Sequence, residues 1–142
     1  ALSSAASDVY KRQVGGNRTM KALLINVMEN NTEVVEANEL KDYYRLIGCT
    51  TIDIVNRSIK GKRYEIICDD EGTFKADPRI SAIDDMGNAM LVGNLIVCGQ
   101  ADEEGNLTDL TEADIKHIKE FTNIMGTRKH PEGSLMICQM EY

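Results

Sequence analysis

Residues 40–72 read LKDYYRLIGCTTIDIVNRSIKGKRYEIICDDEG, and this stretch carries the densest folding information in the chain. Its first part predicts a short helix, because four apolar residues fall at i, i+3, i+4 and i+7 and so form one stripe: Leu40, Tyr43, Tyr44 and Ile47. Gly48 follows where a left-handed C-cap residue is needed. We expect the stripe to be buried, since a helix this short is not stable alone.

The second part of the stretch predicts a β-hairpin. Thr50–Ile59 and Arg63–Cys68 are rich in β-branched and aromatic residues, and Lys60-Gly61 forms the turn between them. A two-residue turn would pair Arg57 with Tyr64.

A three-residue loop would instead set Arg57 opposite Glu65. It would also place apolar residues of both strands on one face: Ile52, Ile54, Tyr64, Ile66 and Cys68. We favour the three-residue loop because it separates apolar from charged residues.

The segments outside this stretch predict further strands and one more helix. Thr111–Asp114 resembles a capping box, and it predicts a helix with Ile115 and Ile118 on one face and His117 exposed. Asn38 is placed to cap the first helix. The predicted strands are Lys21–Met28, Thr32–Ala37, Arg79–Ile83, Met90–Cys98 and Ser134–Met140. Gly93 and Asn94 interrupt the fourth of these strands, which suggests a bulge or a close approach of the backbone.

Together these elements predict an α+β fold, a mostly antiparallel sheet of hairpins with two helices in one compact domain over residues 20–142. Residues 1–19 predict a disordered leader, because they show no sustained apolar period. Ser3–Gln13, SSAASDVYKRQ, also resembles the translation of a transposase adapter used in sequencing libraries. We therefore expect the leader to be an artefact and Met20 to be the natural start.

The charge of the chain argues against nucleic-acid binding. The whole chain carries −7, and residues 1–19 carry +2, so residues 20–142 carry the difference, −9. Such a surface repels phosphate backbones, so we expect no direct contact with nucleic acid. No apolar run approaches the roughly 20 residues of a membrane span, which predicts a soluble, cytoplasmic protein.

The four cysteines show no CxxC spacing: Cys49, Cys68, Cys98 and Cys138. We interpret them as reduced core residues in a reducing cytosol and not as zinc ligands. No pattern predicts a catalytic site, because the serines lack a neighbouring base, HExxH is absent and no phosphate-binding glycine loop occurs. We therefore predict no catalytic residues, no metal and no cofactor, and a non-enzymatic role.

One local feature departs from the acidic background. Thr127, Arg128, Lys129 and His130 form a compact cationic group between Gly126 and Pro131. Such a group can hold a phosphate through charge-assisted hydrogen bonds, or it can cap the preceding helix and pair with carboxylates.

Several segments resemble the family known as domain of unknown function 3846, found in phages, plasmids and other mobile elements of gut Firmicutes. They are MKALLINV, YYRLIGCTTIDIVNR, RYEIICDDEG, NAMLVGNLIVCG and TRKHPEG. The family has no established activity to transfer. Its setting implies an accessory role in the conflict between mobile element and host.

From that setting two hypotheses follow. In the first, a homo-oligomer in the cytoplasm of the host bacterium sequesters a small anionic ligand, such as a nucleotide-derived immune signal. Thr127, Arg128, Lys129 and His130 would then hold phosphates, with Arg57 or Tyr44 against the base. In the second, an acidic protein occupies the nucleic-acid-binding surface of a host restriction or regulatory enzyme through Asp69–Glu71.

Overall fold

Two β-sheets and two α-helices make up the computed structural model, which describes residues 19–142. The strands are β1 (Met20–Asn26), β2 (Asn31–Ala37), β3 (Ile52–Ile59), β4 (Lys62–Asp69), β5 (Ile80–Ile83), β6 (Ala89–Val92), β7 (Leu95–Cys98), β8 (Thr122–Met125), β9 (Ser134–Ile137) and β10 (Met140–Glu141). The helices are α1 (Leu40–Ile47) and α2 (Glu112–Glu120), with a 3₁₀ turn at Gly72–Phe74. The predicted α+β fold is confirmed, and the predicted leader lies almost wholly outside the described residues.

The first sheet has six strands in the order β10-β3-β4-β7-β1-β2, and both of its faces are covered. On one face Ala22 and Leu24 pack with Tyr43 and other residues of α1. On the other face Leu23 packs with residues of the second sheet and of α2. The molecule is therefore layered, with α1 on one side of the first sheet and the second sheet and α2 on the other.

The β3-β4 hairpin has the two-residue turn, so the three-residue loop that we favoured is wrong. Arg57 lies opposite Tyr64, and Ile59 lies opposite Lys62. Lys60 and Gly61 have φ angles of 45° and 83°, the left-handed pair that matches the twist of a hairpin. The segregation argument failed because both faces of this sheet are buried, so apolar residues need not collect on one of them.

Replacing Gly61 with alanine is expected to lower the free energy of unfolding by about 1 kcal/mol, because a Cβ is disfavoured at positive φ. No atom lies within 4 Å of that Cβ position, so the cost is conformational and not steric. Lys60→Gly is the matched control, with an expected change below about 0.5 kcal/mol. Urea denaturation measures both, and a neutral Gly61→Ala variant would show that the turn is not left-handed in solution.

Met90–Cys98 was predicted to be one strand, but in the structure it forms two strands, which lie in different sheets. β6 lies at the edge of the second sheet, and β7 lies in the middle of the first. The chain changes sheets at Gly93, which has φ 78°, and Asn94. The predicted interruption was therefore placed correctly, but it marks a crossing between sheets and not a bulge.

Ser134–Met140 is also divided between the sheets. β9 lies inside the second sheet, whose order is β6-β5-β9-β8, and β10 pairs with β3 at the edge of the first. Gln139, with φ 58°, makes the turn between them. β8 was not among the predicted strands.

The helix ends differ slightly from those expected. Glu39 and not Asn38 is the N-cap of α1, and the Asp42 carboxylate accepts hydrogen bonds from the N–H groups of both residues. Gly48 is the left-handed C-cap that was predicted. The capping box of α2 is confirmed, with Thr111 and Asp114 bonded to each other.

The prediction that His117 on α2 is exposed is wrong, because this side chain is half-buried. Its Nε2 atom lies 2.8 Å from the carbonyl oxygen of Ile59, and its ring contacts that of Phe121. Within residues 19–142, no helix is long and apolar enough to cross a bilayer.

Candidate anion-binding cleft

A cleft of about 470 Å³ opens where several elements end at one side of the molecule. Its walls are the end of β1, the C-terminal turn of α1, the end of β4, residues 72–79 and the bend at 93–94. The bend is the point at which the chain crosses from the second sheet to the first. The crossing therefore forms part of the wall of the cleft.

Asn94 fixes the geometry of the cleft. This side chain is buried, and its Oδ1 atom accepts hydrogen bonds from the N–H groups of Val27 at 3.0 Å and Met28 at 3.4 Å. Its amide nitrogen donates to the carbonyl oxygen of Leu46 at 3.4 Å. One buried amide thus joins the β1-β2 turn, the end of α1 and the bend between the sheets.

Three cationic side chains line the cleft, each from a different element. Arg45 comes from the last turn of α1, Lys75 follows the 3₁₀ turn, and Arg79 immediately precedes β5. Each has one carboxylate neighbour: Arg45 lies 3.6 Å from Asp42, Lys75 lies 3.7 Å from Asp69, and Arg79 lies 3.8 Å from Glu132. These distances are long for charge-assisted hydrogen bonds.

Ion pairs elsewhere in the described residues are closer. Lys21 lies 2.6 Å from Glu112, and Lys41 lies 3.0 Å from Glu39. The ion pairs of the cleft are therefore longer than these two, and Arg79 also donates a hydrogen bond to the Ser134 hydroxyl at 3.3 Å. A loosely held cation can change partner at less cost when an anion arrives.

Carboxylates also line the cleft, but two of the three already have partners. Asp69 accepts a hydrogen bond from the N–H group of Glu71 at 2.9 Å and faces Lys75. Asp77 lies 3.0 Å from Nε2 of His130. Glu29, the third, is exposed in the turn after β1.

The predicted cationic loop, Thr127–His130, borders a smaller cup beside the cleft. The cup has a volume of about 280 Å³, and Pro78 and Ile80 form its opposite wall. Pro78 also lines the cleft, so the two cavities are neighbours. The exposed Arg128 and Lys129 have no ion pair within residues 19–142.

Thr127 and His130 hold the loop in shape. The Thr127 hydroxyl accepts a hydrogen bond from the N–H group of His130 at 3.0 Å. Nδ1 of His130 lies 3.3 Å from Glu132, and its Nε2 atom bonds Asp77. A neutral imidazole has a single N–H, so both carboxylates receive a hydrogen bond only when the ring is protonated. His130 is thus used to join the loop to Asp77.

The other two predicted ligand residues lie elsewhere. Arg57 projects from β3, with its guanidinium 4.7 Å from the ring centre of Tyr142. Tyr44 is half-buried on α1 and packs against the core between α1 and the first sheet. Neither residue lines the cleft or the cup.

Residues 20–123 match the family described as domain of unknown function 3846. The chain belongs to this family. The resemblance to the family is therefore confirmed, and four of the five motifs lie within the match, whereas TRKHPEG at residues 127–133 lies beyond it. No curated protein and no solved structure matches the chain.

The cysteines of this family member are free thiols, and three of the four are buried. Burial raises the pKa of Cys49 to about 11 and that of Cys68 to about 12, so both are protonated at neutral pH. Burial also raises the pKa of Cys98. The interpretation as core residues is confirmed for these three cysteines, whereas Cys138 is only half-buried. Within residues 19–142, no group of three or more His, Cys, Asp or Glu side chains is placed to hold a metal ion.

The sequence analysis did not identify the three cationic residues that line the cleft of this family member, which are Arg45, Lys75 and Arg79. They are spread over 35 positions, and each by itself resembles an ordinary surface charge. The one sequence feature that could have indicated the cleft is Asn94, because it is a polar residue inside the most apolar segment of the chain. A buried amide needs partners, and those partners are the walls of the cleft.

Proposed function

We propose that the chain binds a small anionic ligand in the cleft and sequesters it without changing it chemically. The observation that carries this proposal is the loose pairing of Arg45, Lys75 and Arg79 around one cavity. Cations at 3.6–3.8 Å from their carboxylates can each form a shorter, charge-assisted hydrogen bond with a ligand oxygen. Two arginines also offer the bidentate geometry that suits phosphate and carboxylate groups.

The neighbouring cup favours a ligand with an anionic part and a flat part. Pro78 and Ile80 give the cup an apolar wall, and Arg128 and Lys129 stand at its rim. A nucleotide-derived compound has this composition, with phosphates for the cleft and a base for the cup. The cleft, at about 470 Å³, has the size typical of small-molecule sites.

The proposal extends to the biological role that the resemblance implies. In the cytoplasm of a host bacterium, an accessory protein of a phage or plasmid would remove a nucleotide-derived immune signal by binding it. Sequestration by a homo-oligomer belongs to the same proposal. The cleft is formed by one chain, so binding does not depend on the oligomer.

Calorimetry with a panel of nucleotides, cyclic dinucleotides, inorganic phosphate and the matching nucleosides tests the proposal. We expect at least one phosphorylated compound to bind, and its nucleoside to bind at least tenfold more weakly. Chromatography of the released ligand then separates binding from hydrolysis, because a sequestered ligand is recovered intact. Silence of the whole panel with folded protein would contradict the proposal.

Replacing both Arg45 and Lys75 with alanine is expected to weaken binding of that compound at least tenfold, about 1.4 kcal/mol. Both side chains are more than half exposed, at 67% and 51%, so the fold should tolerate the change. The control removes two charges from the outer face of α2, Lys116→Ala with Lys119→Ala, and should bind normally. Equal affinities in the two double variants would place the ligand elsewhere.

The alternative, an acidic protein that inhibits a host enzyme, loses one of its three expected contacts. The side chain of Asp69 is only 7% exposed and faces Lys75, so Asp69 is not available to a partner. Asp70 and Glu71 remain exposed. A silent nucleotide panel would leave this alternative as the better hypothesis.

A further inference from the structure

The outer edge of β2 is open in the described structure. β2 pairs with β1 along its full length, from Met20↔Ala37 to Asn26↔Asn31. It is also the terminal strand of the first sheet, so within residues 19–142 no strand covers its other side. Every second residue along this seven-residue edge can therefore present its backbone N–H and C=O groups to an added strand.

Glutamates stand on both faces of this edge. Glu33 lies opposite Leu24, which belongs to the core against α1, so Glu33 is on the α1 side. Glu36 lies opposite Lys21 and, three residues further on, is on the other side. Lys21 bonds Glu112 at 2.6 Å, and neither Glu33 nor Glu36 has an ion pair within residues 19–142.

An open groove of about 450 Å³ runs between the edge and α1. Val34 is 44% exposed and lies opposite Leu23, so it adds an apolar surface to the other face of the edge. Leu46 and Arg45 form the α1 side of the groove, and Arg45 is directed towards Asp42. There is thus room for the side chains of an added strand on this face.

The charges decide which strand fits. Edge strands are commonly protected by charged side chains, Pro or a bulge, and of these β2 has only its two glutamates. Its glutamates would repel a second copy of β2, because like charges facing each other across strands are destabilising. The same glutamates attract a strand that carries cations.

We propose that β2 accepts an extended basic segment of a partner protein as an added strand. The segment carries two lysines or arginines three positions apart, one opposite Glu33 and one opposite Glu36. Residues an odd number of positions apart point to opposite faces of a strand, as the two glutamates do. The groove shares Arg45 and Leu46 with the cleft, but the proposal rests on the open edge of β2 and its two glutamates and not on the proposed ligand.

Two fluorescent peptides of identical composition test the proposal with the full chain. Both are short Thr/Val sequences with blocked ends, and they differ only in having lysines three or two positions apart. Anisotropy at low salt should show the three-position peptide binding at least tenfold more tightly than the two-position peptide. Amide hydrogen exchange should show added protection in β2 when the first peptide is bound.

Charge reversal locates the site. Glu33→Lys with Glu36→Lys should weaken binding of the three-position peptide at least tenfold. Glu103→Lys with Glu120→Lys makes the same change of charge on exposed residues elsewhere and should have little effect. Equal binding of the two peptides, equal loss in the two variants, or binding without protection of β2 would each overturn the proposal.

Discussion

The variant Asp114→Ala is expected to lose about 3 kcal/mol of unfolding free energy. The Asp114 carboxylate accepts hydrogen bonds from the N–H and hydroxyl groups of Thr111, at 3.0 and 2.9 Å, and it pairs with Lys62. The buried Tyr64 hydroxyl also donates to it, at 3.3 Å. Loss of the reciprocal bond from the Thr111 N–H group costs about 1 kcal/mol, and the unsatisfied Tyr64 hydroxyl costs about 1–3 kcal/mol.

Urea denaturation measures this loss, with Asp70→Ala as the matched control. Asp70 is exposed in the turn after β4, so its replacement should change the stability by less than about 0.5 kcal/mol. A second variant, Tyr64→Phe, removes only one bond from the cluster and should lose about 1 kcal/mol. If Asp114→Ala and Asp70→Ala were equally stable, the cluster would not hold α2 in place.

The Asp114 contribution should depend on pH. Burial alone would raise the pKa of Asp114, but hydrogen bonds from Lys62 and Thr111 lower it below the ordinary value of 3.8. A depressed pKa in the folded state means that the stabilisation is complete above the unfolded pKa and is lost as the pH falls through the folded pKa. The stability difference between the protein and Asp114→Asn should be constant near neutral pH and shrink below about pH 4.

The second large effect is expected at the cleft. Asn94→Ala should lower the free energy of unfolding by about 2 kcal/mol, because it leaves the buried N–H group of Val27 without its acceptor. It should also weaken ligand binding, since the three walls that Asn94 joins would no longer be fixed. Calorimetry and denaturation of the same variant measure the two effects.

Two further variants test which contacts of Asn94 produce its effect on stability. Asn94→Asp keeps the acceptor for Val27 and Met28 but buries a carboxylate against the carbonyl oxygen of Leu46, so it should be destabilised at neutral pH and less so at low pH, where the carboxyl group is neutral. Asn123→Ala removes an exposed amide whose contact is a weak one, 3.9 Å to the sulfur of Cys138, and should be neutral. An Asn94→Ala variant as stable as Asn123→Ala would contradict the role given to Asn94.

Local chemistry allowed parts of the fold to be predicted from sequence. The stripe of α1, its C-cap at Gly48 and the capping box of α2 were all placed correctly, because neighbours in sequence determine them. The register of the β3-β4 hairpin was predicted wrongly, since it depends on whether one or both faces of the sheet are covered. That information comes from α1 and the second sheet, which are distant in sequence from the hairpin turn.

The two sheet crossings show the same limit. An apolar run such as Met90–Cys98 has the composition of one buried strand, and nothing in its periodicity tells which sheet each half joins. The cationic cleft could not be predicted for a related reason. Arg45, Lys75 and Arg79 acquire a common role only when the crossing at Asn94 brings their elements together.

The position of β9 determines how far the chain must extend before it can fold. β9 lies between β5 and β8, and β10, just beyond it, pairs with β3. A fragment that stops after α2 would leave β5 unpaired on one side and would expose apolar surface of both sheets. Residues 122–141 must therefore leave the ribosome before either layer is complete, so the emerging chain stays vulnerable to proteases and self-association until β8, β9 and β10 have been made.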